Sequence, residues 1–374
     1  MCLLLKRSFH WSNCNSLIIW VDDILITGNC REKIKELKEF ISSRVTNLKM
    51  LGEVKRFVGL DIVRDRIKRR LEIIQKPYTK GIIDSTNYPL KSAKVPLNPY
   101  LDYREKGNND KEPIHKELGS LRFLADRSKP KLLAALSLLA SGAANPTQAH
   151  IDGVRHVIRY LVDDLSDGLS FAAGTDPEHD LELFAMCDAS YIPGYDSKSQ
   201  LAYALFLNLN SGTICARSFK DTTVSRSAAE PEIKAIDATI LEILWHRAFL
   251  TELGYEQTSP TIIWTDTQSG IVLAETFKLS HKSQHMAMRL NFIHQEILNG
   301  TIRLCYIDTD NNVADVLTKA LAITPFASHS DKLQHGFSNK PILAKPSRVV
   351  KVMTQKAKFK RIQNSRVRKN AQPN

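Results

Sequence analysis

No CxxC pair occurs in the 374 residues: the six cysteines, Cys2, Cys14, Cys30, Cys187, Cys215 and Cys305, are scattered. That spacing argues against a zinc ribbon or a disulfide framework and fits a reducing compartment. Long apolar runs are also missing. The most apolar stretch, Leu132 to Ala144, contains Ser137, Ser141 and Gly142 and is about half the roughly 20 residues of a bilayer span, so no transmembrane segment is expected. The apolar residues at the N-terminus precede its first charges and are too few for a signal peptide. Acids are absent between Lys332 and Asn374, where twelve Lys and Arg stand. With 52 Lys+Arg against 40 Asp+Glu overall, that tail carries the whole net charge of +12. Any nucleic-acid contact by the folded body must then come from local patches. What remains, 43% hydrophobic and 25% charged, is ordinary globular material long enough for two or three domains.

Along the chain, Ser16 to Thr27 is β-rich and apolar apart from Asp22 and Asp23, and Gly28-Asn29 closes it as a turn. From Arg31 the apolar residues Ile34, Leu37, Phe40, Ile41, Val45 and Leu48 are spaced by three or four, an amphipathic helix. Gly52 to Ile62 and Arg70 to Ile74 read as a strand pair, and Lys76-Pro77-Tyr78 opens a short helix. Pro89, Pro96 and Pro99 with the polar stretch to Lys111 mark a linker. Residues 114–162 are helical in three pieces, broken at Pro130 and at Asn145-Pro146. After Glu182 the pattern predicts strands at 183–189, 201–209 and 212–219, a helix at 229–252, a strand at 261–266, helices at 268–276 and 284–298, a strand at 301–307 and a helix at 312–321. Strands joined by short turns, followed by strands separated by helices, imply an α/β (α+β overall) fold with a mixed sheet. Beyond Ala322 no periodicity is sustained, so a mostly disordered tail is expected.

Four acids in this last region stand at the ends of elements. Leu183 to Cys187 is a continuous apolar run that ends in Asp188, and Thr261 to Thr265 does the same before Asp266. A carboxylate beside a buried strand end costs desolvation energy unless it is paired, hydrogen-bonded or bound to a cation. If the two strands are parallel neighbours, the two aspartates lie side by side, an arrangement that favours a divalent metal between them. On the helix after Ala229, Ile233, Ile236, Ile240, Ile243, Leu244 and Leu250 fall within roughly 120° of arc. Glu232 lies at the edge of that arc and points toward the sheet, whereas Glu230 falls outside it and serves the N-terminal turn. Asp315 stands three residues after Asn312, as in a capping box. Each acid alone is equally readable as a cap. As a set, they offer the hard oxygen ligands that two magnesium ions need for phosphodiester cleavage.

The order Asp, Glu, Asp, Asp on this succession of elements is similar to the ribonuclease H domain. More closely, Cys187-Asp188-Ala189-Ser190-Tyr191, Ala229-Glu230-Pro231-Glu232-Ile233, Trp264-Thr265-Asp266-Thr267-Gln268-Ser269 and Asn312-Val313-Ala314-Asp315-Val316-Leu317-Thr318-Lys319 resemble successive motifs of the copia-type long-terminal-repeat retrotransposon Pol polyprotein. Upstream, Trp20-Val21-Asp22-Asp23-Ile24-Leu25 resembles the reverse transcriptase YVDD hairpin, Leu51 to Leu60 its primer grip, and residues 117–171 its connection. The resemblance implies a truncated palm at 1–50, a primer-grip hairpin and thumb-like helix at 51–97, a linker and helical connection at 98–175, an RNase H-like five-stranded mixed sheet with helices at 176–323, and the basic tail at 324–374. It assigns catalysis and metal binding to Asp188, Glu232, Asp266 and Asp315, and a vestigial polymerase metal to Asp22, with Asp23 adjacent.

By the same resemblance the cofactor is Mg2+ as two ions, with Mn2+ a possible substitute. The partners are an RNA–DNA hybrid and the remaining parts of the Pol polyprotein, including integrase; no membrane and no small-molecule cofactor are expected. The location is cytoplasmic, in a virus-like particle, or nuclear. Candidate contacts to the hybrid are Ser190, Lys198, Arg226, Ser227, Gln268 and Lys282. A polymerase palm needs an aspartate on an earlier strand, and no Asp or Glu precedes Asp22, so the expectation is a C-terminal Pol fragment that cleaves hybrids and does not polymerise alone. The rival expectation is a decayed or domesticated binding remnant without catalysis. His281, His285 and His294 are read as surface histidines, and Asp308 to Asn311 fill the loop where many nucleases of this superfamily carry a histidine. The basic tail has three readings: a phosphate-binding arm, a nuclear address or a solubilising extension.

Overall fold

The computed structural model describes residues 3–5, 15–86, 91–98, 103, 105, 107, 113–174, 181–190, 198–277 and 284–337. Strands β1 (Leu3–Leu5), β2 (Asn15–Trp20) and β3 (Asp23–Gly28) form an antiparallel sheet. The β2–β3 hairpin closes on the pair Trp20↔Asp23, so Asp22 lies in the turn. That corrects the premise that Asp22 and Asp23 are strand neighbours aimed at opposite faces. Val21 beside it has φ 52°, a left-handed conformation that a β-branched residue rarely adopts. Helix α1 (Arg31–Ser42) follows where the spacing predicts it but stops short of Val45 and Leu48, which lie beyond its end.

Strands β4 (Arg56–Phe57), β5 (Leu60–Asp65) and β6 (Arg70–Ile74) make an antiparallel meander. Its first turn, Val58-Gly59, has positive φ at both residues, the geometry that keeps the twist of a two-residue hairpin. Helix α2 (Lys76–Asp84) comes next, then α3 (His115–Arg127), a 3₁₀ turn at Pro130–Leu132, α4 (Leu133–Ala140) and α5 (Gln148–Asp163). The breaks at Pro130 and Asn145-Pro146 stand where the sequence places them. Two features were not foreseen. Strand β7 (Leu169–Ala172) adds to the meander by pairing with β6. Part of the proline-containing linker is also packed rather than free: Leu97 and Tyr103 are buried, and the Ala93 amide donates to the Arg159 carbonyl on α5.

The remaining strands are β8 (Phe184–Ser190), β9 (Gln200–Phe206), β10 (Cys215–Lys220), β11 (Thr261–Thr265) and β12 (Ile302–Tyr306), with helices α6 (Ala229–Leu253), α7 (Gln268–Thr276) and α8 (Ala287–Leu298) between them. The sheet order is β10-β9-β8-β11-β12. The first three strands are antiparallel, and β8–β11 and β11–β12 are parallel, which is the expected mixed sheet. Alternation along each strand sends side chains to two separate cores. Ala185, Cys187, Tyr203 and Leu205 pack with Ile233, Ile236, Ile240 and Ile243 of α6, while Phe184, Met186, Ala204 and Phe206 pack with the apolar residues of α3, α4 and α5. The expected helix at 312–321 is a 3₁₀ segment, Val313–Leu317, buried on that second face.

Helix α9 (Ile323–His335) overturns the expectation of a disordered extension directly after residue 323. Its Phe326 packs edge-on to Tyr160, its Leu333 is fully buried, and Phe337 beyond it contacts Phe184 and Phe206. The periodicity was invisible because three of its buried positions, His329, Ser330 and Gln334, are polar. The Gln334 amide nitrogen donates to the backbone carbonyls of Gly168 at 2.9 Å and Ser128 at 3.3 Å. Residues 338–374, and with them most of the basic tail, lie outside the described residues.

Because Leu333 fills a closed site where the sheet meets the helices before it, Leu333→Ala should lower unfolding free energy by about 2–5 kcal/mol. Urea denaturation measures this. A loss below about 0.5 kcal/mol, as for a surface change, would show that α9 does not dock as described.

Candidate active site

The parallel register aligns Phe184 with Ile262 and Met186 with Trp264. Continuing it by two residues sets Asp188 beside Asp266 at the carboxyl end of adjacent strands. Asp188 shares its face with Phe184 and Met186 and is 1% exposed. Glu232, in the first turn of α6, comes from the opposite layer. Oxygens of Asp188, Glu232 and Asp266 all lie within 4.8 Å of one another, so three of the four predicted acids meet.

Asp315 is not in that triad. Its carboxylate is held by Lys319, one helical turn on, at 2.8 Å, and the same ammonium lies 3.5 Å from Asp188 Oδ2. Lys319 therefore bridges the triad to the fourth acid. Asn312 caps the 3₁₀ segment by accepting from the Ala314 amide, and its Nδ2 donates to the Cys187 carbonyl at 3.0 Å. The Asn312–Lys319 motif is thus fastened to the strand that carries Asp188. Thr318 Oγ1 donates a hydrogen bond to Asp188 Oδ2, and Thr309 Oγ1 donates to Asp266 Oδ2 at 2.8 Å. Thr309, Thr318 and Lys319 were missed as site residues. The usable signal was local for the last two: Lys319 is four residues from Asp315, the spacing of helical ion pairs, and Thr318 precedes it.

Burial dominates the electrostatics. It pushes the Glu232 carboxyl up to about 9, with the charges of Asp188 and Asp266 adding to it. Burial, then the charge of Asp315, pushes Asp188 up to about 7, although Lys319 and Thr318 pull the other way. Asp315 is raised by the same desolvation. Burial lowers the Lys319 ammonium pKa, but the carboxylates around it outweigh that and leave it raised. Glu232 Oε2 is buried without a hydrogen-bond partner among the described residues. An orphaned oxygen aimed into a corner of hard carboxylate donors fits a divalent cation such as Mg2+.

Glu230 plays the part expected of it, accepting from the Arg226 amide at 2.7 Å, and it also pairs with Lys234 at 2.9 Å. His285 is exposed, as expected of a surface histidine, and its Nε2 bonds to Glu230 Oε2 at 3.1 Å. His294 is likewise engaged, stacked on Phe277 with Nδ1 bonded to the Ala274 carbonyl at 2.9 Å. His294, half-buried where α8 packs against α6 and α7, corrects the surface reading; His281 lies outside the described residues. Ser190, Lys198, Arg226, Ser227 and Gln268 lie close in sequence to the acids or at the end of a strand paired with β8, with Arg226, Ser227 and Gln268 exposed. Lys282 lies outside the described residues. Asp22 and Asp23 are exposed at the hairpin tip, and neither belongs to a group of three potential ligands among the described residues.

Comparison with known proteins gives related polyproteins. The chain is 29% identical over 337 residues to the retrovirus-related Pol polyprotein from transposon TNT 1-94 of Nicotiana tabacum, covering 87% of this chain and 24% of that protein. It is 27% identical over 322 residues to the Pol polyprotein from transposon RE1 of Arabidopsis thaliana, covering 85% and 21%. The motif resemblance to copia-type Pol polyproteins therefore holds over most of the sequence, and the chain spans about a quarter or less of these relatives' length. No protein-family model matches. Among solved structures, the foamy viral protease-reverse transcriptase in complex with an RNA/DNA hybrid aligns over 82% of this chain and 37% of that one, at 14% identity and TM-score 0.42. Among the described residues no helix is long and apolar enough to cross a membrane.

An acid whose pKa is higher in the folded than in the unfolded chain stabilises the fold below its unfolded value, about 4. That contribution is lost as pH rises through the folded value. Metal-free stability should accordingly fall between about pH 4 and pH 9, the range spanned by Asp188 and Glu232. Glu232→Gln should recover at least about 1 kcal/mol at pH 8 and none at pH 4. Urea unfolding in chelator measures both; a wild-type profile flat across this range would contradict the crowded, buried geometry.

Proposed function

We propose that this chain carries the ribonuclease H activity of a transposon Pol polyprotein, cutting the RNA strand of RNA–DNA hybrids by two-metal chemistry. The observation that carries the reading is the convergence of Asp188, Glu232 and Asp266 from two parallel strand ends and a helix, with oxygens within 4.8 Å and one Glu232 oxygen left unpartnered. Carboxylates from three separate rigid elements have no packing reason to meet in a buried corner, and their desolvation opposes it.

Bound divalent ions would supply Lewis-acid stabilisation of the phosphate charge and a water acidified toward hydroxide. Asp188, Glu232 and Asp266 would hold one ion, and Asp315 with Asp188 the second. Lys319 balances the charge of Asp188 and Asp315 until cations arrive. Thr318 fixes the rotamer of Asp188, and Thr309 that of Asp266, so that the remaining lone pairs face the corner. Ser190, Lys198, Arg226, Ser227 and Gln268 would contact phosphates and sugars, the groups by which A-form-like duplexes are recognised. The VDD hairpin contributes nothing to this reaction.

A labelled RNA–DNA hybrid incubated with the chain in Mg2+ should be cut in the RNA strand only, and Asp188→Asn, Glu232→Gln and Asp266→Asn should each reduce cutting to background. No cleavage by the wild-type chain, with hybrid binding retained, would leave a binding module instead. Thr318→Val, which removes only the bond that orients a ligand, should cost about 10–100-fold in activity or metal affinity. Initial rates across a Mg2+ titration distinguish this from no effect.

A further inference from the structure

Away from the carboxylates, a second set of donors of different chemistry meets between the sheet edge and α6. Cys215 opens the edge strand β10, and its cross-strand partner is Leu205. Strand alternation puts Cys215, Arg217 and Phe219 on the face that packs under α6, along with Tyr203 and Leu205 of β9. From α6, Glu242 and His246, one turn apart, face this strand. The Cys215 Sγ, a Glu242 carboxylate oxygen and a His246 ring nitrogen all lie within 4.8 Å of one another. Cys215 Sγ is 3.6 Å from Glu242 Oε1, and His246 Nδ1 is 3.4 Å from the same oxygen.

We propose that Cys215, Glu242 and His246 form a zinc site that ties the edge strand to α6. A thiolate, an imidazole and a carboxylate are the donors Zn2+ takes, whereas Mg2+ has no use for the sulfur. Zinc–ligand distances of about 2.0–2.3 Å set tetrahedral ligands roughly 3.3–3.8 Å apart, so small side-chain rotations close the site. Outer support of the kind metal ligands use is in place for Glu242, whose Oε2 accepts from the Tyr203 hydroxyl at 2.8 Å; His246 Nδ1, 3.0 Å from the Glu242 carbonyl oxygen, would leave that contact to ligate. Room for a fourth ligand, water or a partner's side chain, exists in an adjoining depression of about 450 Å3 lined by Tyr203, Arg217, Phe219, Leu241, Glu242 and Trp245. Binding would displace the Cys215 thiol proton into solvent. Glu242 lies about 15 Å along α6 from Glu232, so this site stands apart from the nuclease carboxylates. The absence of paired cysteines hid it, because its donors come from one strand and one helix turn rather than from CxxC knuckles.

The test uses the full chain carrying Asp188→Asn and Glu232→Gln, which disables the carboxylate corner as a competing site and makes the outcome independent of the nuclease reading. Titration with Co2+ should produce a thiolate-to-cobalt charge-transfer band that saturates at about one equivalent. Zn2+ should bleach it stoichiometrically and raise the melting temperature. Cys215→Ser should abolish the band, and His246→Asn should weaken binding by at least about 10-fold while the band remains at high Co2+. Metal-free circular dichroism of each variant establishes that it is folded; if Cys215→Ser is not, His246→Asn and Glu242→Gln decide. No band at stoichiometric metal, or a band and affinity unchanged in these variants, overturns the proposal.

Discussion

The cost of desolvating carboxylates that crowd one corner is the constraint on which the strand-and-helix half of this molecule depends. Parallel pairing of β8 with β11 leaves Asp188 and Asp266 no choice but to be neighbours, and α6 brings Glu232 to them from the other layer. Two of the three resist ionisation, first because burial disfavours their charge and then through repulsion from neighbouring acids. The surroundings are arranged around that repulsion. Lys319 spans two acids, Thr318 and Thr309 donate to two, and the Asn312 amide anchors the whole segment to the backbone beside Asp188. Such a set of hard oxygen donors fits a divalent cation.

Much of this was legible from residue order. Apolar runs ending in aspartate predicted buried strands with acids at their tips, and the angular position of Glu232 relative to Ile233, Ile236 and Ile240 predicted which glutamate of α6 turns inward. Those readings depend on period and spacing, which are local. What stayed hidden depended on distant partners. On the polar buried face of α9, the Gln334 amide nitrogen finds its acceptors at the carbonyls of Gly168 and Ser128, far away in sequence. Strand β7 is too short to announce itself and exists because β6 offers an edge. Asp315 looked like an equal member of the acid set, but its carboxylate is claimed by a lysine one turn along, a distinction that spacing cannot draw.

Helix α6 links chemistry to architecture. Its N-terminal end is tied to the segment before it, through Lys234 bonded to Asp221 and Thr223 and Glu230 bonded to the Arg226 amide, and to His285 from the 3₁₀ turn before α8. Its middle forms one wall of the sheet's core. Farther along, Glu242 and His246 meet the edge strand. One rigid rod thus holds Glu232 in place through contacts made along much of its 25 residues.

The underside of the sheet is covered by α3, α4 and α5, which share a single apolar cluster with Phe184, Met186, Phe206 and Trp264. Gln200 reinforces that seam by donating to Ser137 on α4 and to Ser218 on β10, and Ser218 in turn donates to the Leu317 carbonyl beside the last motif. A lineage that swapped only the stretch from Leu183 onward into another host would inherit a sheet with one greasy side bare. The helices from Ile114 and the sheet from Leu183 are therefore one folding unit, in which a change of side-chain volume on either side of the seam is felt on the other.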